Sequence, residues 1–365
     1  MLPDYPFGVP PAAGETLQVS PGVYWLRMPL PFALNHINLW LLADGDDWVI
    51  VDTGFALDTV KDCWRQILGR LAAPDGPSGS FSTGSARISR LIVTHFHPDH
   101  LGLAAWLQEL TGAPLLMTLG EYLTAHAVWH EVGGHGTQAM LRQFREHGLD
   151  AERCTALEGR SGGYKRGVPC LPTHYHRLRA GDWLTIGAHC WQVRVGFGHS
   201  PEHAALYSPD LGVLISGDML LPKISTNISV LAVTPTADSL ADFLRSIDGY
   251  RELPPETLVL PSHGLPFYGI GSRVKALQAH HDERLLALEE HCGKPRSAAE
   301  LLMTLFPRDL DTHQTMFAMG EAIAHLNRLE HAGRLRRVDD GSGVLRFVRT
   351  PAAEDGAARS PGNRA

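Results

Sequence analysis

The chain has 365 residues, of which 44% are hydrophobic and 19% charged, and this composition indicates a globular protein with a full apolar core. Its formal net charge of -7 argues against nucleic acid or an anionic membrane as a partner, and no apolar run reaches the roughly 20 residues that span a bilayer. The five scattered cysteines form no CxxC pair and argue against a disulfide framework, so we expect a cytoplasmic protein.

The first hundred residues alternate strand and helix patterns. Short apolar runs bounded by turn residues predict strands at Val23–Leu26, Ile37–Leu42, Trp48–Val51 and Leu91–Val93. Apolar residues at helical spacing predict helices at Leu57–Leu71 and Leu101–Leu110. Residues 73–86 are rich in Pro, Gly and Ser, which predicts a surface loop.

The middle of the chain carries a long insertion, residues 119–178. The residue pattern predicts a helix over Leu119–His147 and a glycine-rich loop over Gly159–Gly167. We expect this insertion to form a helical cap that supplies a substrate pocket, with Tyr164 and Tyr175 among its candidate contacts. The same aromatic residues could instead pack the cap onto the body of the protein.

Strand patterns return after the insertion. These strands are predicted at Trp191–Val195, Ala204–Tyr207, Val213–Ile215 and Leu258–Leu260. Helices are predicted at Ala237–Arg251 and Arg273–His291. We take residues 15–293 as one catalytic domain.

Residues 294–350 differ in character from the rest. Helical patterns at Ser297–Phe306 and Thr312–Ala332 precede two short strands, Arg334–Val338 and Val344–Val348, around a Gly- and Asp-rich turn. Two helices followed by a hairpin predict a small winged-helix-like module. Residues 351–365 are polar and Ala-rich, which predicts a disordered tail.

The segment from Thr94 to Gly102 concentrates residues that can bind metal. His95, His97, Asp99 and His100 fall within six residues, between a buried strand and a helix. In an extended turn, residues two apart project to one side, so His95 and His97 could bind one ion while Asp99 and His100 face a second. Imidazole and carboxylate suit zinc and its first-row neighbours, which include iron and manganese.

Three more candidate ligands follow short apolar strands. His199 comes after Gly198, Asp218 after Ser216-Gly217, and His263 after Ser262. Small neighbours let the backbone approach a tightly packed site. One segment cannot close a site for two metals, so we expect these three residues to complete it.

The order of these motifs resembles that of the metallo-β-lactamase-fold hydrolase superfamily. His-x-His-x-Asp-His, Gly-His, Ser-Gly-Asp and Ser-His-Gly follow one another between Val23 and Gly264, and Val51-Asp52-Thr53-Gly54 is similar to that family's early motif. The form of the first motif resembles the hydroxyacylglutathione hydrolase and lactonase branch. The resemblance implies an α/β fold, an αββα sandwich whose ligands lie on loops at one edge of two packed sheets.

The resemblance also implies a role for each residue. His95, His97 and His199 would bind the first of two zinc ions, Asp99, His100 and His263 the second, and Asp218 would bridge both. Asp52 would support the ligands by hydrogen bonding from behind. His203, which lies in the same motif as His199, is interpreted separately as a supporting or structural histidine.

Such a pair of ions lowers the pKa of a shared water, and the resulting hydroxide attacks an acyl carbonyl or phosphorus. Asp99 could also orient that nucleophile or accept its proton, and Asp218 would act with it in catalysis. Lys223, Thr226 and Asn227 follow Asp218 closely and are further candidate substrate contacts.

We therefore expect a hydrolase of an ester-like bond in a small molecule, either a thioester of glutathione or coenzyme A or a lactone, and the sequence is compatible with an oligomer. A ribonuclease or phosphodiesterase is the main alternative, because Arg334, Arg336, Arg337, Arg346 and Arg349 cluster on the predicted hairpin. An iron-dependent oxidoreductase of the same fold is the other.

Overall fold

The computed structural model describes residues 3–72, 87–160 and 162–351. The loop predicted over 73–86 and the predicted tail from residue 352 onward lie outside the described residues. No helix in the described ranges is both long enough and apolar enough to cross a membrane.

Two β-sheets form the centre of the molecule. The first has seven strands in sequence order, namely β1 (Leu17–Ser20), β2 (Val23–Pro29), β3 (His36–Asp44), β4 (Asp47–Val51), β5 (Ile88–Ile92), β6 (Leu115–Thr118) and β7 (His176–Leu178). The second has the order β12-β11-β10-β9-β8 and consists of β8 (Trp183–Ile186), β9 (His189–Gly196), β10 (His203–Ser208), β11 (Val213–Gly217) and β12 (Leu258–Pro261). Both sheets are antiparallel at one end and parallel at the other, where β4 to β7 and β11 to β12 pair.

Helices cover the outer faces of the two sheets. They are α1 (Asp58–Leu71), α2 (Pro98–Leu101), α3 (Ala104–Thr111), α4 (Leu119–Trp129), α5 (Thr137–Glu146), α6 (Ala151–Glu158), α7 (Gly163–Gly167), α8 (Ser239–Asp248), α9 (Ile270–His291), α10 (Leu302–Leu305) and α11 (Thr312–His331). Short 3-10 turns lie at Gly133–His135, Gly249–Glu252 and Ala299–Leu301, and β13 (Leu335–Val338) pairs with β14 (Arg346–Arg349).

The alternation of side chains along β3 shows why the layers form. Leu39 and Leu41 face the core under α1 and α3, whereas Trp40 and Leu42 face the core between the sheets. Successive side chains of a strand point to opposite faces, so a strand that is apolar at every position must be covered on both. The expected αββα sandwich is confirmed.

The insertion differs from the predicted cap in three respects. The helix predicted over Leu119–His147 is interrupted after Trp129, where Glu131 and Gly133 adopt positive φ angles of 53° and 58° and the chain turns. Part of the predicted loop Gly159–Gly167 is the helix α7, which was missed together with α6. The last residues of the range, in β7, pair with β6 and so belong to the first sheet.

The C-terminal residues pack into the same core as the rest of the protein. Buried side chains of α5, α6, α8, α9 and α11 form one cluster, which also contains Phe347 of the hairpin. Leu345 donates to the carbonyl of Glu146, and Ala299 donates to that of His147. The helices and the hairpin follow the predicted order, while the boundary at residue 293 and the winged-helix classification stay predictions.

Two buried histidines join α9 to α11. His281 Nδ1 lies 3.1 Å from His325 Nε2, and His325 Nδ1 donates to the carbonyl of Glu321. Burial lowers the pKa of His281 to about 2 and that of His325 to about 4. Both rings are therefore neutral at pH 7, and each pKa lies below its unfolded value.

We expect acid to destabilise the fold through this pair. Unfolded histidines protonate near pH 6.5, so below that pH the unfolded chain gains protons that the folded chain does not accept until its own lower pKa is reached. The unfolding free energy should fall by up to about 1.4 kcal/mol per pH unit for each histidine. His325→Gln should flatten this dependence between pH 6 and pH 4.5 in urea unfolding, and curves parallel to those of the wild type would contradict it.

Candidate metal centre

All seven predicted ligands lie at one edge of the two sheets. His95 to His100 follow β5, His199 follows β9, Asp218 follows β11 and His263 follows β12. Because β9, β11 and β12 run in the same direction, their carboxyl ends meet at that edge. The structure thus brings together residues that are up to 168 positions apart in the chain (95 to 263).

The first group consists of His95, His97, His199 and Asp218. Their ligand atoms all lie within 4.8 Å of one another. His95 Nε2 is 2.9 Å from His97 Nδ1 and 3.2 Å from His199 Nε2, and His199 Nε2 is 3.5 Å from Asp218 Oδ2. Distances of this size separate ligands that share one ion with bonds of about 2 Å.

The second group consists of Asp99, His100 and His263, which also lie within 4.8 Å of one another. His263 Nε2 is 3.4 Å from Asp99 Oδ2, and His100 Nε2 is 3.8 Å from the same oxygen. Asp218 Oδ1 faces this group, at 3.6 Å from His100 Nε2 and 3.5 Å from His263 Nε2. The two oxygens of Asp218 therefore face different groups, which is the arrangement of a bridging carboxylate.

The Nε2 atoms of His199 and His263 face the centre. His199 Nδ1 donates to the carbonyl of Asn227, and His263 Nδ1 donates to that of His36, so Nε2 is the nitrogen of each ring that a cation would bind. Within the described residues, His100 Nε2 and Asp218 Oδ1 are buried and have no hydrogen-bond partner. Buried polar atoms without partners are rare in folded proteins, and a cation in the second group would satisfy both.

Asp52 lies behind the second group, as predicted from the early motif. Its carboxylate accepts from the backbone nitrogen and the hydroxyl of Thr94, and His100 Nδ1 lies 2.8 Å from its Oδ2. This bond fixes the ring of His100 with Nε2 towards the centre. The backbone of Asp52 has a φ of 62°, a conformation that Asp and Asn tolerate better than most residues.

His203 supports Asp218 from the backbone side. Its Nε2 accepts from the backbone nitrogen of Asp218 at 3.2 Å. The ring lies against Gly217, where a Cβ atom would come within 2.4 Å of it, and Gly217 has a φ of 53°. Only glycine fits this approach without a shift of the ring or the loop, which accounts for the Ser-Gly-Asp motif.

The carboxylates of the centre favour positive charge. Burial opposes protonation of His263, but Asp218 and Asp99 outweigh it and raise the pKa of His263 to about 10. Burial likewise opposes protonation of His100, yet Asp52, Asp99 and Asp218 raise its pKa well above the ordinary value. His97, in the first group, shows the opposite shift, because burial and then the nearby ring of His199 lower its pKa to about 3.

Three of the candidate substrate contacts have partners around the ligands. The hydroxyl of Thr226 donates to the carbonyl of Asp218, the carbonyl of Asn227 accepts from His199, and the hydroxyl of Tyr164 donates to the carbonyl of Phe96. These bonds hold the ligand loops in place. Contact with a substrate stays a prediction for all three.

The other two candidates have partners of a different kind. Tyr175 stacks on Tyr122 with ring centres 3.9 Å apart. The exposed Lys223 lies over the ring of Tyr5, with its Nζ 5.8 Å from the ring centre. Neither of these contacts involves a predicted ligand.

Sequence analysis missed one residue of the site, Glu121. This buried carboxylate at the start of α4 accepts hydrogen bonds from Phe96, Ser200 and Glu202, which belong to two ligand loops. An acidic residue in the first turn of a helix is common and gave no signal of its own. Its function becomes visible only when the fold brings the loops together.

Two sheets between helices, with two adjoining His/Asp groups at the edge of the sheets, define a metallo-hydrolase class of protein. The Metallo-beta-lactamase superfamily model matches residues 34–263, and the model of the Metallo-beta-lactamase-like C-terminal domain matches residues 285–350. The chain belongs to the metallo-beta-lactamase superfamily.

Individual relatives agree with this membership. A beta-lactamase domain protein from Burkholderia ambifaria has 46% identity and a TM-score of 0.85, with 95% of this chain and 98% of that chain covered. The probable metallo-hydrolase YqjP of Bacillus subtilis is 25% identical, with 84% of this chain and 91% of the relative covered. A hydroxyacylglutathione hydrolase of Fuscovulum blasticum is 25% identical over 53% of this chain and 58% of its own length.

Proposed function

We propose that this protein is a dinuclear zinc hydrolase that cleaves an ester-like bond in a small molecule, a thioester of glutathione or coenzyme A or a lactone, in the cytoplasm. The observation that carries the proposal is Asp218, whose two oxygens face two separate groups of imidazole nitrogens. The similarity to a hydroxyacylglutathione hydrolase supports the thioester class.

In this proposal His95, His97 and His199 would hold the first ion, Asp99, His100 and His263 would hold the second, and Asp218 would contribute an oxygen to each. When bound, such a pair of ions polarises the scissile carbonyl and lowers the pKa of an attacking water. The donor set of imidazoles and carboxylates suits zinc, and iron or manganese would bind the same atoms.

The side chains of this chain then orient the reactants. The side chain of Asp99 is 20% accessible, so in this proposal its carboxylate is open to an attacking water and accepts its proton. Asp52 and His203 keep His100 and Asp218 in their orientations through the bonds described above. No serine or cysteine nucleophile takes part in the proposal.

The arginine cluster on the C-terminal hairpin gives little support to a nuclease. Arg334 pairs with Glu289, Arg337 with Glu330, and Arg346 with both Glu300 and Asp340. These ion pairs with neighbouring carboxylates reduce the charge that the arginines can offer to phosphates. Phosphodiester substrates therefore rank below acyl substrates.

A substrate panel tests the proposal. We expect zinc-loaded protein to hydrolyse at least one of acyl-glutathione, acyl-coenzyme A or a lactone, and to lose that activity on treatment with a chelator and regain it with zinc. His97→Ala serves as the inactive control, since it removes one ligand of the first group. Cleavage of RNA alone, with all acyl substrates left intact, would contradict the proposed substrate class.

A further inference from the structure

Glu121 is a buried carboxylate with three hydrogen-bond donors around it. Its side chain is 0% exposed, at the start of α4. Oε2 accepts from the backbone nitrogen of Phe96 at 2.9 Å, and Oε1 accepts from the hydroxyl of Ser200 at 2.6 Å and the backbone nitrogen of Glu202 at 2.7 Å. Burial of a carboxylate is unfavourable unless such bonds compensate for the lost water.

The three donors belong to the two loops that carry the first group of ligands. Phe96 lies between His95 and His97, and Ser200 follows His199 directly. A single carboxylate therefore ties the loop after β5 to the loop after β9, and with them the three imidazoles of the group. The separation of His95 and His97 from His199 depends on both loops.

The insertion also binds the backbone carbonyl of Phe96. The hydroxyl of Tyr164, on α7, donates to the carbonyl of Phe96 at 2.7 Å. Two further bonds of 2.8 Å reach the second loop, from the hydroxyl of Thr118 at the end of β6 to the carbonyl of Glu202 and from the nitrogen of Gly120 in α4 to the Glu202 side chain. Residues of the insertion and of β6 thus contact both loops of the first group.

We propose that Glu121 is a positioning residue for the first metal group, which sets the distance between the His95/His97 loop and the His199 loop. This inference rests on the proposed dinuclear function. Glu121 touches neither group of ligands directly in the bonds described, so it acts through the backbone of Phe96 and through Ser200 and Glu202. None of these three bonds reaches a ligand of the second group, in which Asp52 holds His100.

Glu121→Gln tests the inference because it should remove only the bond from the backbone nitrogen of Phe96. The amide keeps an oxygen for Ser200 and Glu202, but its NH2 group faces the nitrogen of Phe96, and two donors cannot bond. We expect one of the two zinc affinities to fall about 10- to 100-fold, as for other residues that orient metal ligands, while the second affinity is unchanged. Chelator competition with zinc measures both affinities, and the absorption spectrum of cobalt-loaded protein reports the altered geometry.

Glu158→Gln is the matched control. Glu158 is an exposed residue of the insertion whose Oε1 accepts from the side chain of Gln138, and glutamine keeps an oxygen for that bond, so both zinc affinities should equal those of the wild type. Ser200→Ala removes one of the three bonds and should lower the same zinc affinity as Glu121→Gln, by a smaller factor. If Glu121→Gln does not fold, Ser200→Ala tests the inference in its place.

Two results would overturn the inference. Unchanged zinc affinities in Glu121→Gln and Ser200→Ala would show that the loops keep their separation without the carboxylate. Equal losses at both sites, in step with a lower melting temperature, would indicate a general effect on stability. A wild-type protein that binds fewer than two ions would instead refute the proposed dinuclear function itself.

Discussion

Asp218→Asn is expected to lower kcat/KM for the acyl substrate by at least about 10³-fold, since the two-metal arrangement supplies several kcal/mol and each 1.36 kcal/mol is tenfold in rate. Asparagine is nearly the same size but has one oxygen and no charge, so it can satisfy only one of the two groups that face Asp218. Steady-state kinetics on zinc-loaded variant and wild type would measure the loss.

The control for this variant is Asp210→Asn, on the turn between β10 and β11. Asp210 pairs with His189 at the surface, away from both ligand groups, so its replacement should leave kcat/KM within about twofold, as expected for a surface ion pair. An Asp218→Asn protein that keeps a tenth or more of the wild-type kcat/KM would argue against a bridging role.

Asp52→Asn has the second largest expected effect. Asparagine accepts the positive φ at this position, so the variant changes the side chain and not the backbone. It loses the charge that faces His100, and we expect a 10- to 100-fold loss of metal affinity. Removal of one partner of a buried ion pair should also lower the unfolding free energy of the metal-free protein by about 3–5 kcal/mol.

Metal competition and urea unfolding measure these two effects separately. Asp47→Asn removes the charge paired with Arg87 but keeps an oxygen for the backbone nitrogen of Arg87, and it should change neither by a measurable amount. If Asp52→Asn bound metal as tightly as the wild type, the hydrogen bond to His100 would have no orienting role.

The seven candidate ligands could be proposed from the sequence because each stands in a short motif of neighbouring residues. Four candidate ligands follow one buried strand, and the other three each stand just past a strand end next to Gly or Ser. The fold class followed from the resemblance carried by those motifs, and the apolar runs of β3 and β4 agree with strands covered on both faces.

The features that the sequence did not predict depend on contacts between residues far apart in the chain. Glu121 has no ligand spacing, and only the approach of the loops after β5 and β9 reveals its three donors. Glycines at 162, 163 and 167 concealed the short helix α7. The shared core of α5, α6 and α11 joins segments more than 150 residues apart (157 to 318), which no local period encodes.

Metal content tests the central claim most directly. The protein, purified, stripped with a chelator and reconstituted with zinc, should hold two ions per chain by elemental analysis, with about one fewer in Asp218→Asn. A single zinc ion in the reconstituted wild type would contradict the dinuclear hydrolase proposed from these two ligand groups, as would iron in the protein as purified together with no hydrolysis of any acyl substrate.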